Sequence, residues 1–118
     1  MSKMTIDSYG AKRWHNADGA LHRLDGPAFE GETGDKLWWV DGDLHRLDGP
    51  AVECANGYTE WWVNGKCHRL DGPAIERNNG MHSWYINDVR YYNFKEFQKA
   101  GNLSDEQMCI LRLKYGEI

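Results

Sequence analysis

Short apolar runs alternate with turn-forming pairs over most of the chain. The Trp-Trp-Val run at 61–63 is followed by Asn-Gly at 64–65, and the Trp-Trp-Val run at 38–40 by Asp-Gly at 41–42. Asn-Gly and Asp-Gly between apolar runs are the strongest short-range signal for a β-hairpin, because both central residues must adopt positive φ. Trp and Val are also strand-forming residues. This pattern predicts a series of β-hairpins.

The hairpin pattern is an internal repeat with a period of 23 residues. The heptapeptide His-Arg-Leu-Asp-Gly-Pro-Ala occupies residues 22–28, 45–51 and 68–74, and an apolar residue and a glutamate follow each copy. Asp-Gly-Pro breaks a strand, because proline lacks a donor for the ladder and glycine permits a bend. Seven consecutive identities in three copies make the repeat the most secure feature of the sequence.

The repeat predicts a mainly β fold, an antiparallel meander of β-hairpin units within residues 1–93. Two strand crossings per unit, each about 4.8 Å wide, advance the sheet by roughly 10 Å per repeat. The predicted units cover about residues 5–30, 31–53, 54–76 and 77–93.

Helices are predicted only after the last repeat, in a C-terminal cap over residues 94–118. Two capping-box patterns stand there, with a side-chain acceptor three residues before a Glu or Gln. They are Asn93 with Glu96 and Ser104 with Gln107, and they predict helices over 94–100, ending at Gly101, and over 105–115, ending at Gly116. In the second helix Met108, Leu111 and Tyr115 share one face, with Ile110 alongside it.

Composition and charge narrow the class of protein. The 118 residues suit one domain, and the formal net charge of −4 argues against general nucleic-acid binding, which needs clustered positive charge. We expect no membrane span, because no apolar run approaches the roughly 20 residues that one requires. The first residues lack the apolar segment of a secretory signal, and the three cysteines lack CxxC spacing. These features indicate a cytoplasmic protein with reduced thiols.

The segment Trp-Val-Asn-Gly-Lys-Cys-His at 62–68 resembles the hairpin half of a MORN repeat. MORN units usually continue with Gly-x-Gly after the histidine, whereas this chain continues with Arg-Leu-Asp-Gly-Pro-Ala. The longer motif is similar to the MORN-variant arrays of phage and giant-virus proteins, and the likeness covers about residues 5–93. The resemblance implies a β-hairpin array that contacts proteins or lipids rather than a catalyst. It also implies a viral origin, action in the host cytoplasm, and a small phage protein that binds and inhibits a host defence protein.

The repeated histidines and arginines admit two interpretations. Equivalent residues of adjacent units lie roughly 10 Å apart, too far to share one zinc ion, so we expect no metal and no cofactor. The favoured interpretation is structural, with each imidazole bonded to a neighbouring strand or turn and each arginine paired with the aspartate two residues later. The alternative is a site that sequesters a small anionic, nucleotide-type ligand. Its residues are Arg23, Arg46, Arg69, His22, His45 and His68.

The tryptophan pairs predict two aromatic rows, because adjacent strand residues point to opposite faces. One row contains Trp38, Trp61 and Trp84. The other contains Trp39, Trp62 and Tyr85, with His15 next in line. This second row either lies under the C-terminal helices or forms an exposed ladder, and an exposed ladder is typical of a partner-binding surface.

The sequence favours a non-enzymatic binding module whose partner is a protein. It contains no nucleophile elbow, zinc-protease or phosphate-loop motif, and Cys67 and His68 are strand neighbours that face opposite ways. The runner-up is sequestration of the small anionic ligand, and a hydrolase that uses the His-Arg-x-Asp motif is a third hypothesis. Open sheet edges, such as the segment 5–7, also predict a possible homodimer.

Overall fold

A computed structural model of the chain describes residues 2–116; residues 1, 117 and 118 of the predicted array and cap lie outside that range. Within it the chain forms thirteen strands and two helices. The strands are β1 (Lys3–Ile6), β2 (Lys12–His15), β3 (Phe29–Glu30), β4 (Lys36–Leu37), β5 (Trp39–Val40), β6 (Asp43–Leu44), β7 (Val52–Glu53), β8 (Thr59–Glu60), β9 (Trp62–Val63), β10 (Lys66–Cys67), β11 (Ile75–Glu76), β12 (His82–Ile86) and β13 (Val89–Tyr91). The helices are α1 (Phe94–Gly101) and α2 (Asp105–Tyr115).

Nine of these strands form one sheet in the order β1-β2-β3-β4-β7-β8-β11-β12-β13, and every pairing is antiparallel. The hairpins β5–β6 and β9–β10 are separate two-stranded sheets. The predicted fold is therefore confirmed: a mainly β meander of hairpin repeats, followed by two C-terminal helices.

In the two middle units the first tryptophan of the pair stands between two strands and bonds to two different segments of the chain. The Trp38 N–H donates to the Ala51 carbonyl at 2.7 Å, while the Trp38 carbonyl accepts from the His45 N–H at 3.1 Å. Trp61 makes the same two bonds with Ala74 and His68. At Trp38 the backbone thus leaves the main sheet after β4 and enters the separate hairpin with β5, and Trp61 does the same between β8 and β9. The sequence predicts continuous strands here, and the first and last units have them, β2 through Trp14 and β12 through Trp84.

The hairpin turns adopt the left-handed backbone that the sequence predicts. Asp41 and Gly42 have φ of 49° and 85°, and Asn64 and Gly65 have φ of 51° and 76°. The first unit differs, because one extra residue lengthens its turn: Gly19 has a φ of 86°, and the Asn16 side chain accepts the N–H groups of two turn residues.

Each heptapeptide folds around its arginine, in an arrangement that we call the arginine clamp. The Arg46 guanidinium lies 3.8 Å from the centre of the Trp38 ring. Its Nε donates to Asp48 Oδ1 at 3.0 Å, and its Nη1 donates to the Pro50 carbonyl at 3.0 Å and to Glu53 Oε1 at 2.7 Å. The clamp therefore fixes the bend to the strands on either side of it. Arg23 over Trp14 and Arg69 over Trp61 repeat it at 3.9 and 4.0 Å.

Each heptapeptide also holds the hairpin of the next unit. His45 Nδ1 accepts the Asn64 N–H at 2.9 Å, and the Arg46 N–H donates to the Trp62 carbonyl at 3.0 Å. His22 and His68 accept the N–H groups of Asp41 and Asn87 in the same way, at 3.0 and 3.1 Å. The histidines thus bond to the neighbouring turn, as the favoured structural interpretation predicts.

The helix caps follow the sequence with one shift. The Asn93 side chain accepts the Glu96 N–H at 2.9 Å and begins α1. α1 extends to Gly101, one residue further than predicted, and Asn102, whose φ is 51°, caps its C-terminus. Ser104 and Gln107 form a complete capping box that begins α2. Neither helix within residues 2–116 is long and apolar enough to cross a bilayer.

The helices pack on the end of the sheet and form the main apolar core. Trp84 contacts the ring edges of Phe94 and Phe97, with centroids 5.1 and 5.0 Å apart. The core consists of Trp84, Ile86, Phe94, Phe97, Met108 and Leu111. Ile110, predicted beside the buried face of α2, is instead 59% exposed, because α2 turns only Met108 and Leu111 fully inward.

The glycine of each heptapeptide leaves room for the guanidinium. A Cβ on Gly72 would lie 2.5 Å from Arg69 Cζ, whereas a Cβ on Gly26 would lie 3.0 Å from Arg23 Cζ. We expect Gly72→Ala to displace the clamp and lower the free energy of unfolding by about 2 kcal/mol, since loss of a packed, bonded network falls in that range. Gly26→Ala should cost less. Urea denaturation of both variants tests this, and a fully stable Gly72→Ala protein would contradict it.

Candidate functional site

Each of the three heptapeptides carries a leucine in its bend, and two of these leucines are largely exposed to solvent. Leu24 is 79% exposed and Leu47 is 76% exposed, whereas Leu70 is only 37% exposed. Large apolar side chains repeated at the surface of a rigid scaffold are candidates for partner contact. The three loops thus form a row with two open members and one covered member.

Two grooves separate these loops. The first groove, of about 580 Å³, lies between the first and second loops, and the second, of about 340 Å³, lies between the second and third. Leu47 lines both. The first groove is also lined by Arg23, Leu24, Trp38, Val40 and Arg46, and the second by Arg46, Trp61, Val63, Arg69 and Leu70.

The third loop is covered by the chain's own helix α2. Leu70 shares a crevice of about 230 Å³ with Leu103, Ile110 and Leu111. The Tyr115 hydroxyl lies 3.4 Å from Arg69 Nη2. The side chain of Arg69 is accordingly 10% exposed, against 21% for Arg23 and for Arg46.

The predicted anion-binding residues are engaged in holding the units. In all three clamps Nε and Nη1 of the arginine are bonded to aspartate, proline carbonyl and glutamate. The three histidines each use Nδ1 to accept a turn N–H. Arg23, Arg46 and His45 do line the first groove together, but Asp25 and Asp48 line it as well, so the groove carries both charges. Capture of a small anion stays a prediction.

The predicted aromatic row is half-buried. Its members are His15, Trp39, Trp62 and Tyr85. The row does not lie under the helices, because these pack on Trp84 and Ile86, the strand neighbours of Tyr85 whose side chains point to the other face. The row therefore lies away from the cap. Its backbone adjoins the heptapeptides, since the Arg46 N–H donates to the Trp62 carbonyl, but its side chains line neither groove between the loops.

A small polar network fixes Trp62 within that row. Trp62 Nε1 donates to Glu60 Oε1 at 2.7 Å, and the Tyr58 hydroxyl donates to the other oxygen of Glu60. Trp39 lacks this support: its counterpart of Glu60 is Leu37, and among residues 2–116 its buried Nε1 has no hydrogen-bond partner.

The thiol of Cys67, next to the repeated His68, is a poor candidate for a nucleophile. Cys67 is 4% exposed, and burial, together with the negative charges of Glu60 and Asp88, raises its pKa to about 12. A thiol with that pKa stays protonated at neutral pH, whereas nucleophilic cysteine chemistry requires the thiolate. Within residues 2–116 no three His, Cys, Asp or Glu side chains are gathered as a metal site would require.

The exposed leucines are the feature that sequence reasoning missed. β6 ends at Leu44, and Leu47 lies beyond it in the Asp-Gly-Pro bend. A leucine repeated within a strand-breaking Asp-Gly-Pro context was the available signal, because side chains in such bends have no sheet face to pack on.

Comparison with known proteins adds no relative: no family model, no curated protein and no solved structure matches this chain. The likeness to MORN-type repeats therefore remains a prediction from the sequence.

The network around Trp62 predicts a stability change in alkaline solution. Burial of the Tyr58 hydroxyl, its hydrogen bond to Glu60 and that carboxylate's charge raise the pKa of Tyr58 to about 12. The unfolded tyrosine titrates near 10. The stabilisation by the protonated phenol is thus complete below about pH 10 and is lost as the pH rises to about 12.

Tyr58→Phe removes this hydrogen bond and should lower the stability at pH 8 by about 1 kcal/mol. The stability gap between wild type and variant should then narrow between pH 10 and pH 12, as the folded wild type loses the phenol proton. Denaturant unfolding of both proteins across that range measures the gap. A gap that stays constant up to pH 12 would show that the hydroxyl is not bonded as described.

Proposed function

We propose that this chain is a non-enzymatic protein-binding module whose contact surface is the open leucine loops with their two grooves. One observation carries the proposal: Leu24 and Leu47 are 79% and 76% exposed, whereas the equivalent Leu70 is covered by a helix and only 37% exposed. The same leucine-bearing loop thus occurs twice in exposed form and once covered by α2.

The energetics favour binding at this surface. Full burial of a leucine side chain contributes about 1.5–3 kcal/mol, so covering Leu24 and Leu47 supplies a useful part of a binding free energy. The loops that carry them are held by the arginine clamps, with Asp48, Pro50 and Glu53 bonded to Arg46 in the second loop. A preorganised loop loses little conformational entropy on binding.

The leucine loops are a better candidate than the aromatic row. Trp39 and Trp62 are half-buried, and the Trp62 indole N–H is already bonded to Glu60. The free energy gained on binding scales with the apolar area that leaves water, and the more exposed leucines have more such area to lose. The identity of the partner as a host defence protein remains an expectation from the sequence resemblance.

Site-specific photocrosslinking tests the proposal in the cell that makes the protein. Benzoylphenylalanine at position 47 should yield a discrete crosslinked partner, because that side chain lies between both grooves. The matched control is position 113 on α2, where Leu113 is 83% exposed and outside the grooves. Leu24→Asp, added to the position-47 protein, should reduce the yield at least fivefold.

Two outcomes would overturn this assignment. Equal crosslinking from positions 47 and 113 would show non-specific contact. A partner that crosslinks from position 85 and not from position 47 would place binding on the aromatic row, and the same partner would then be lost on Trp39→Ala plus Trp62→Ala.

A further inference from the structure

The covered loop shows what kind of element fits this surface. Leu70 and Arg69 of the third heptapeptide contact α2, which places Leu111 in the crevice beside Leu70 and the Tyr115 hydroxyl 3.4 Å from Arg69 Nη2. The Arg69 guanidinium also lies 6.0 Å from the Tyr115 ring centre. Leu111 and Tyr115 are four residues apart and therefore share one helical face.

The open second loop presents the same two groups in the same geometry. Arg46 and Arg69 stack on their tryptophans at 3.8 and 4.0 Å, and both Nη1 atoms bond a proline carbonyl at 3.0 Å. Leu47 follows Arg46 as Leu70 follows Arg69. The two loops differ in how far they are covered. α2 packs on Arg69 and Leu70, whereas nothing within residues 2–116 covers Leu47 to the same degree.

We infer that the open loops bind an amphipathic α-helix of the partner, with a leucine at position i on Leu47 and a tyrosine at position i+4 on Arg46. This inference rests on the proposed function and adds the partner's structural class. The surface is continuous with the contact between α2 and the third loop. Adjacent units are roughly 10 Å apart, which matches the 8–10 Å between packed helices, so the partner helix would lie beside α2.

The arginine clamp explains why a tyrosine of the partner helix fits this surface better than a phenylalanine. Within residues 2–116 the rings of Phe94 and Phe97, rather than an arginine, cover Trp84. In the open loops the guanidinium already occupies that position over Trp38. A partner therefore meets the outer edge of Arg46, where a hydroxyl accepts from Nη2 as Tyr115 does from Arg69.

Charge defines the rest of the partner helix. The side chains of Asp25 and Asp48 are each 87% exposed at the rim of the first groove, and the chain carries a net charge of −4. Because Arg23 and Arg46 pair with these carboxylates, a helix with both charges on its polar edge fits the rim, as α2 itself carries acidic residues in its first turn and basic residues in its last.

A peptide copy of α2 supplied in trans tests the inference. The probe is a fluorescent peptide of residues 103–116 with a hydrocarbon staple between positions 109 and 113, whose side chains are exposed in the parent helix. The staple is needed because an isolated helix of this length is marginal in water. Fluorescence anisotropy with the full-length protein should show saturable binding.

Matched variants locate the bound peptide. Leu47→Asp in the protein should weaken binding at least tenfold, because Leu47 lines both grooves, whereas Leu113→Asp should change it less than twofold. Leu111→Asp in the peptide should abolish binding, and Tyr115→Phe in the peptide should weaken it severalfold. The peptide variants need no change to the protein, so they remain decisive if Leu47→Asp disturbs the fold.

The outcomes separate this inference from the proposed function. Absence of peptide binding, or binding that Leu47→Asp leaves unchanged because the peptide has merely exchanged with α2, overturns the helix inference. If the peptide test fails in this way but a cellular partner still crosslinks from position 47, the proposed function stands and only the helix inference is lost. If the peptide binds as expected but no cellular partner crosslinks there, the proposed function fails while the surface remains helix-binding.

Discussion

The fold depends on an arginine guanidinium held over a tryptophan ring. Each of these cation–π contacts contributes about 0.5–2 kcal/mol, and the hydrogen bonds from Nε and Nη1 add charge-assisted contacts to three neighbouring groups. The motif residues can be assigned individually: histidine holds the next hairpin, arginine clamps the bend, aspartate and the proline carbonyl accept its hydrogen bonds, and glycine leaves it space. The alanines are completely buried, at 0% exposure. The motif leucine is instead largely exposed in the open loops, at 79% for Leu24 and 76% for Leu47.

The end of the array shows what happens where the clamp is missing. Tyr92 stands where a fourth arginine would, and it is 67% exposed. Trp84 would then present its ring to water, but Phe94, Phe97 and Tyr115 cover it from the helices. The cap therefore substitutes an apolar cover for the arginine and closes an array whose last unit has no neighbour.

Local chemistry made much of this predictable from sequence. Asp-Gly and Asn-Gly fix the hairpins because they tolerate positive φ, as at Asp41 and Asn64, and Ser104 with Gln107 specifies the start of α2. These signals act over four residues or fewer, so one sequence suffices to read them. The Arg–Asp pairing was also accessible, since Arg46 and Asp48 are two residues apart.

The remaining features depend on contacts between units. The break between strands at Trp38, whose N–H bonds to Ala51 and whose carbonyl bonds to His45, follows from contacts between separate segments that no local pattern encodes. Which tryptophan row the helices cover depends on how α1 docks on Trp84. The exposure of Leu47 follows from a bend whose geometry is set by Arg46. The candidate surface therefore could not be predicted from the sequence, because it depends on the three-dimensional arrangement of the clamp.

A double-mutant cycle between Arg46 and Trp38 tests this account most directly. Arg46→Met and Trp38→Leu leave an apolar side chain at both positions while removing the charge and the ring. The free energy of unfolding is measured for the wild type, both single variants and the double variant. We expect a coupling energy of about 1 kcal/mol or more, as for stacked and bonded groups in contact. Strictly additive effects, with no coupling between the two side chains, would contradict the clamp as the interaction that holds the array.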